Sequence, residues 1–148
     1  MVRKFFSSLA GQLFIALLGL AIVSACSLDT KAKTALNLVD TNWILKTLDG
    51  TALNSERPLS LRFSADHVNG YAGCNSFFAN YTASSDGVFG LGTVGMTKMA
   101  CLGTRDQQER EFLQRLNQVK QYSMTREQLL LLDAQRKVLL AFNTDKAK

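Results

Sequence analysis

The chain has 148 residues, with 17 basic against 12 acidic side chains for a net charge of +5, one histidine, one proline and three cysteines. That length bounds it to about one domain, and so slight a basic surplus describes a mildly positive surface, not the clustered footprint of a nucleic-acid binder. A lone histidine gives little from which to assemble a Ser-His-Asp set, and cysteines without a histidine nearby speak against a zinc site.

The N-terminus speaks first about compartment. Arg3 and Lys4 precede an apolar run over residues 13–23, and the small residues Ser24 and Ala25 lead to Cys26. A positive start, an apolar core of roughly ten residues and small residues before a cut describe an export signal, and the run falls short of the ~20 residues a membrane-spanning helix needs. Val23-Ser24-Ala25-Cys26 resembles the lipobox of bacterial lipoproteins, in which the cysteine is acylated and becomes the first residue. The alternative is an ordinary secretory signal, or a membrane anchor, that happens to contain a cysteine. Loss of residues 1–25 would leave 123 residues and remove two basic and no acidic side chains, for a net charge of +3. Ser27, where an inner-membrane lipoprotein would carry Asp, points to the outer membrane of a Gram-negative cell, facing the periplasm.

Residues 26–40 are expected to be the lipidated cysteine and a polar tether; fourteen flexible residues average about 20 Å end to end. Leu36, Leu38 and Val39 blur its junction with a domain expected over residues 41–143. Residues 43–48 are rich in strand formers and stop at the turn pair Asp49-Gly50. Leu59, Leu61 and Phe63 alternate with polar neighbours, and a short turn at Ala65-Asp66 joins them to residues 67–72 as a hairpin. Gly70-Tyr71-Ala72-Gly73-Cys74-Asn75 follows, where small residues around the cysteine imply a sharp turn or a close approach by another segment. Residues 77–82 form a further strand closed by a turn at 84–87, residues 88–91 a short one, and residues 93–100 a weaker one interrupted by Gly95.

The period then changes. Thr104-Arg105-Asp106-Gln107 fits a capping box, Phe112, Leu113, Leu116 and Val119 share a helical face, and Glu111 and Arg115 stand four apart outside. The spacing predicts one amphipathic helix over residues 105–118. Strands at 128–133 and 137–142 finish the domain, the first apolar enough to be central or buried on both faces, and a polar tail occupies 144–148. Seven to eight strands with one main helix make an α+β fold: a strongly curved antiparallel sheet, or small open barrel, wrapped on the helix.

Cys74 and Cys101 are most simply partners in a disulfide, the other possibility being two buried free thiols. Asn75 is expected to bond the backbone of its own turn, and Thr97 to tie down backbone by its hydroxyl. His67 beside Asp66 has the pattern of a solvated turn histidine. Glu109 and Glu111, two apart on a helix, point to different sides and make no carboxylate pair. Phe77, Phe78 and Tyr81 could line a groove but have the spacing of core residues.

In order along the chain, Trp43 and Leu45, Leu61 and Phe63, Gly70, Gly73-Cys74-Asn75, Thr97, Met99-Ala100-Cys101, the helix with Phe112 and Leu116, and the Leu-rich final strand pair resemble the META domain family, which includes the HslJ-like heat-shock lipoproteins. The resemblance covers about residues 42–142. It implies a compact α+β domain of the bacterial envelope, associated in some members with heat shock and with resistance to antibiotics such as novobiocin. No catalytic reaction is established for the family, and its motif positions, here Gly73, Asn75, Thr97 and Met99, look architectural. The expected protein is therefore a non-enzymatic lipoprotein, held to the membrane through Cys26, using no cofactor, and binding an envelope protein or small ligand in stress or antibiotic tolerance. The alternative is an inhibitor or binder of an envelope hydrolase or protease; a lysozyme inhibitor in particular would want a negative surface.

Overall fold

The computed structural model describes residues 37–145 apart from 54 and 56. The export signal, Cys26 and most of the tether lie outside the described residues. Among the described residues ten strands and one helix follow one another as β1 (Asn42–Leu48), β2 (Thr51–Ala52), β3 (Ser60–Phe63), β4 (His67–Tyr71), β5 (Ser76–Ala83), β6 (Phe89–Leu91), β7 (Gly95–Met96), α1 (Thr104–Gln118), β8 (Gln121–Met124), β9 (Gln128–Leu132) and β10 (Val138–Thr144).

Every pairing is antiparallel, in the order β6-β5-β4-β3-β1-β10-β9-β8, with β2 added to β1 and β7 to β5. The two ends of that path almost meet: Val88 bridges Gln121, and backbone bonds run from Phe89 N to Lys120 O (2.9 Å) and from Tyr122 N to Gly87 O (2.8 Å). Among the described residues the result is a nearly closed barrel-like sheet with a single helix, the α+β architecture expected from the residue pattern.

Alternation explains most of the strands. Leu61 and Phe63 of β3, Phe77, Ala79 and Tyr81 of β5, and Leu129 and Leu131 of β9 all turn inward. A register shift between Leu45 and Thr47 lets β1 bury Trp43, Leu45 and Leu48 on the same side. The helix adds Phe112 and Leu116, both almost fully buried, and the Phe112 ring meets Phe77 at 5.8 Å.

Several expectations need correction. Thr104 does not cap the helix: Gly103 occupies the cap position at φ 72, no side chain bonds there, and Gln107 Nε2 donates to Glu111 instead (2.9 Å). The chain leaving Cys101 must turn through positive φ, which glycine allows and threonine resists. Arg115 turns from Glu111 to Asp49, donating its Nε at 2.6 Å. The strand expected over 93–100 shrinks to Gly95–Met96, because Asn75 and the sulfur bridge hold the rest as a loop. Strands β2 and β8 lack an alternating burial pattern and are additions to the expected elements. Leu130 and Leu132 are only half-buried, so β9 is interior to the sheet without being covered on both faces. Order also runs further than expected at both ends: Leu38 is buried, Asp40 N donates to Phe63 O (3.1 Å), and Asp145 N donates to Asn42 O (3.0 Å).

Candidate functional site

The two cysteine-bearing segments meet at the start of the helix. Gly70 pairs with Leu61 so closely to the neighbouring strand that an added Cβ would stand 1.9 Å from Ser60 O. Gly73, at φ +126, lies against the first turns of α1, where a Cβ would stand 3.1 Å from Arg105 O and 3.2 Å from Glu109 N. Only a residue without a side chain brings this turn so near the helix backbone. Cys74 then bonds Cys101 as a disulfide, Cα to Cα 5.9 Å.

Asn75, buried, corrects the expectation of a local turn bond. Its Oδ1 accepts from Met99 N (2.7 Å) and from Thr97 Oγ1 (2.8 Å), while its Nδ2 donates to Glu109 Oε1 (3.1 Å) and lies 3.3 Å from Met99 O. Thr97 Oγ1 in turn accepts from Ser76 N (3.2 Å). Glu109 Oε2 accepts the backbone N–H groups of Asn75 and of Cys74, the latter at 3.2 Å. One carboxylate and one amide thus satisfy a buried turn that has no strand partner, as buried polar groups require.

Gly73, Asn75, Thr97 and Cys101 therefore converge with Cys74 on one node, while Met99 joins by its backbone alone and leaves its side chain 64% exposed. Leu102, at 91%, is more exposed still. Glu109 belongs to the node as well, a membership not among the expectations from sequence. Its signal was available, since 109, 112 and 116 fall on the helix's inward stripe. His67 lies apart from the node, exposed and paired with Asp66. Phe77 and Tyr81 are core, but Phe78 points outward, 60% exposed, and covers Gly95.

Chemically the node is saturated. Its sulfurs are bonded to each other, and its amide and carboxylate are engaged by donors and acceptors. Among the described residues no group of three or more His, Cys, Asp or Glu could hold a metal ion. Open chemistry lies at its rim, in a groove of about 530 Å³ lined by Arg57, Tyr71, Ser76, Met99, Arg105 and Gln108, among others. The Arg57 guanidinium stacks 3.9 Å above the Tyr71 ring. Elsewhere, burial raises the Tyr81 hydroxyl above the usual tyrosine range, helped by Tyr122, Asp66 and Asp40. The Ser84 hydroxyl holds Asp86 below the usual carboxylate range. Among the described residues no helix is long and apolar enough to cross a membrane.

Comparison with known proteins bears on this geometry. A family model described as META domain matches residues 36–146. An NMR structure of a protein from Burkholderia xenovorans is 30% identical, with a TM-score of 0.59 over 74% of this chain and 85% of that one. A second NMR structure, 21% identical, covers 70% of this chain and 88% of its own at a TM-score of 0.56. The crystal structure of a DUF4847 family protein from Bacteroides vulgatus ATCC 8482, 15% identical, covers 75% and 96% at 0.56. The last two speak for the fold alone. None of the curated proteins matches.

Proposed function

The chain belongs to the META domain family, and we propose that it works as a lipid-anchored, non-catalytic binding protein of the bacterial envelope, contributing to stress or antibiotic tolerance. The observation carrying this reading is the contrast inside one site. Buried polar groups of Cys74, Asn75 and Glu109 are spent on holding the loop after β7, while the side chains of Met99 and Leu102 on that loop face outward. Rigidity beneath exposed apolar side chains suits recognition, because little conformational entropy is lost when a partner arrives. The anchor at Cys26, with Ser27 directing the protein to the outer membrane and the periplasmic side, completes the proposal from the sequence.

A deletion strain challenged with heat and envelope-active drugs tests it, complemented by wild type, by Cys26→Ala and by a Met99→Ser/Leu102→Ser double variant. The reading expects rescue by wild type and by neither variant. Full rescue by Cys26→Ala would remove the anchor from the function, and full rescue by the double variant would remove the loop.

The projecting, disulfide-held loop also favours a second reading, inhibition of an envelope hydrolase or protease. Under it, pull-down with the membrane-bound protein returns one stoichiometric enzyme whose activity falls on binding.

A further inference from the structure

The groove beside the node carries two cations and, among its described lining residues, no acid. Arg57 and Arg105 make no ion pair among the described residues. Of the described acids beside Arg105 on α1, Glu109 is turned inward on Cys74 and Asn75, and Asp106 pairs with Arg110; Glu56, next to Arg57 in sequence, lies outside the described residues. From residue 87 to residue 105 the chain carries no carboxylate at all, only Lys98 and Arg105 as charges.

The cations are also arranged. Tyr71 donates its hydroxyl to Gly73 O, which fixes its ring, and the ring holds the face of the Arg57 guanidinium. Stacking of that kind leaves the N–H edge of the guanidinium for an acceptor. Arg105 stands in the first turn of α1, where the helix dipole adds positive potential and no side chain caps the backbone. Ser76, Thr104 and Gln108 supply neutral hydrogen-bonding groups, and Tyr71 and Met99 supply apolar surface.

We propose that this groove binds a phosphate or carboxylate group carried on an apolar body, Arg57 and Arg105 taking the charge and Tyr71 with Met99 the apolar part. The inference deepens the binding role proposed above and rests on that role for its physiological setting. The groove opens at the Ser60–Tyr71 end of the β3–β4 hairpin. The N-terminal segment joins at the opposite, Phe63–Val68 end, through Asp40 and Phe63.

The test uses the full chain in phosphatidylcholine nanodiscs, titrated calorimetrically with phenyl phosphate, with inorganic phosphate and with benzyltrimethylammonium. Saturable binding of phenyl phosphate is expected, weaker binding of inorganic phosphate, and none of the cation. Arg57→Gln and Arg105→Gln should each weaken phenyl phosphate by about tenfold or more, the scale of a charge-assisted contact. Arg126→Gln, outside the groove lining, should leave it within about twofold. No saturable binding, or groove variants that bind as the wild type does, would overturn the proposal. Repeating the titration in phosphatidylglycerol nanodiscs separates the sources: competition by the discs identifies a headgroup, and unchanged affinity identifies a diffusible anion. Failed binding with intact genetic complementation removes the anion site and leaves the envelope role; intact binding with failed complementation does the reverse.

Discussion

Asn75 and Glu109 are joined twice, through the backbone N–H of Asn75 to Oε2 and through its Nδ2 to Oε1 at 3.1 Å, across 34 residues of chain. This pair fastens the β4–β5 connection to the helix without any sheet hydrogen bond. Because Asn75 also holds Thr97 and Met99, the same amide fixes the loop that follows β7.

Replacing Glu109 with Ala takes the acceptor from two buried backbone N–H groups and from one N–H of the Asn75 amide, whose Nδ2 keeps Met99 O at 3.3 Å. Loss of about 3 kcal/mol is expected, within the range for bonds to a charged acceptor. Glu109→Gln keeps an oxygen for the two backbone groups but sets an amide against Asn75 Nδ2, so a smaller loss of about 1–2 kcal/mol is expected. Urea denaturation midpoints of the two variants give the order; equal stability of Glu109→Ala and wild type would show the bonds to be inconsequential.

Opening the disulfide acts on the unfolded chain. Cys74 and Cys101 are 27 residues apart, for which loop-closure entropy alone gives about 3–4 kcal/mol. Cys74→Ser/Cys101→Ser should lower the denaturation midpoint accordingly, and reductant should shift the wild type but not the double variant. Cys101, half-buried where Cys74 is buried, is the sulfur that a reductant meets first.

Two glycines should resist alanine for different reasons. At Gly70 the obstacle is Ser60 O, 1.9 Å from the added Cβ, so β3 and β4 must part. At Gly73 the obstacle is chiefly φ +126, a conformation that costs an L side chain about 1–3 kcal/mol, with helix backbone close behind. Gly50, at φ +81 with nothing within 4 Å of its Cβ, is the comparison, expected to lose about 1 kcal/mol. Thermal unfolding of the three variants should place Gly50→Ala nearest the wild type.

Tyr81 predicts a limb of the stability–pH curve. Its hydroxyl donates to Ser64 O at 2.8 Å, and burial makes it ionise above the usual tyrosine range in the fold. The unfolded chain therefore releases this proton first. The contribution is complete below the unfolded value and declines as pH rises past it through the folded value. Tyr81→Phe should flatten that alkaline decline while losing one hydrogen bond at neutral pH, as followed by denaturation midpoints from pH 7 to the alkaline end.

What could be read from the amino acids was whatever depends on near neighbours. Alternation in Leu59, Leu61 and Phe63, the Asp49-Gly50 and Ala65-Asp66 turns, and the period of Phe112 and Leu116 each lie within a few residues. They specify strand, turn and helix wherever the chain goes, and two cysteines in one small domain already suggested their bond. Strand β8 has no such pattern; Gln121–Met124 is a strand because the edge of β9 stands beside it and the far end of the sheet returns to meet it. Likewise Thr104 had the composition of a cap, but the turn after Cys101 placed Gly103 there.

The surroundings of Asn75, Glu109, Arg57 and Arg105 are set only by folding. A polar side chain bonds whatever donor or acceptor desolvation leaves beside it, and for Asn75 those groups come from residues 97, 99 and 109. Local chemistry chose the elements and announced the sulfur bridge. Where a carboxylate is buried, which loop is clamped and which arginines share a groove depend on contacts between distant segments, and such contacts exist only once the sheet has curved upon the helix.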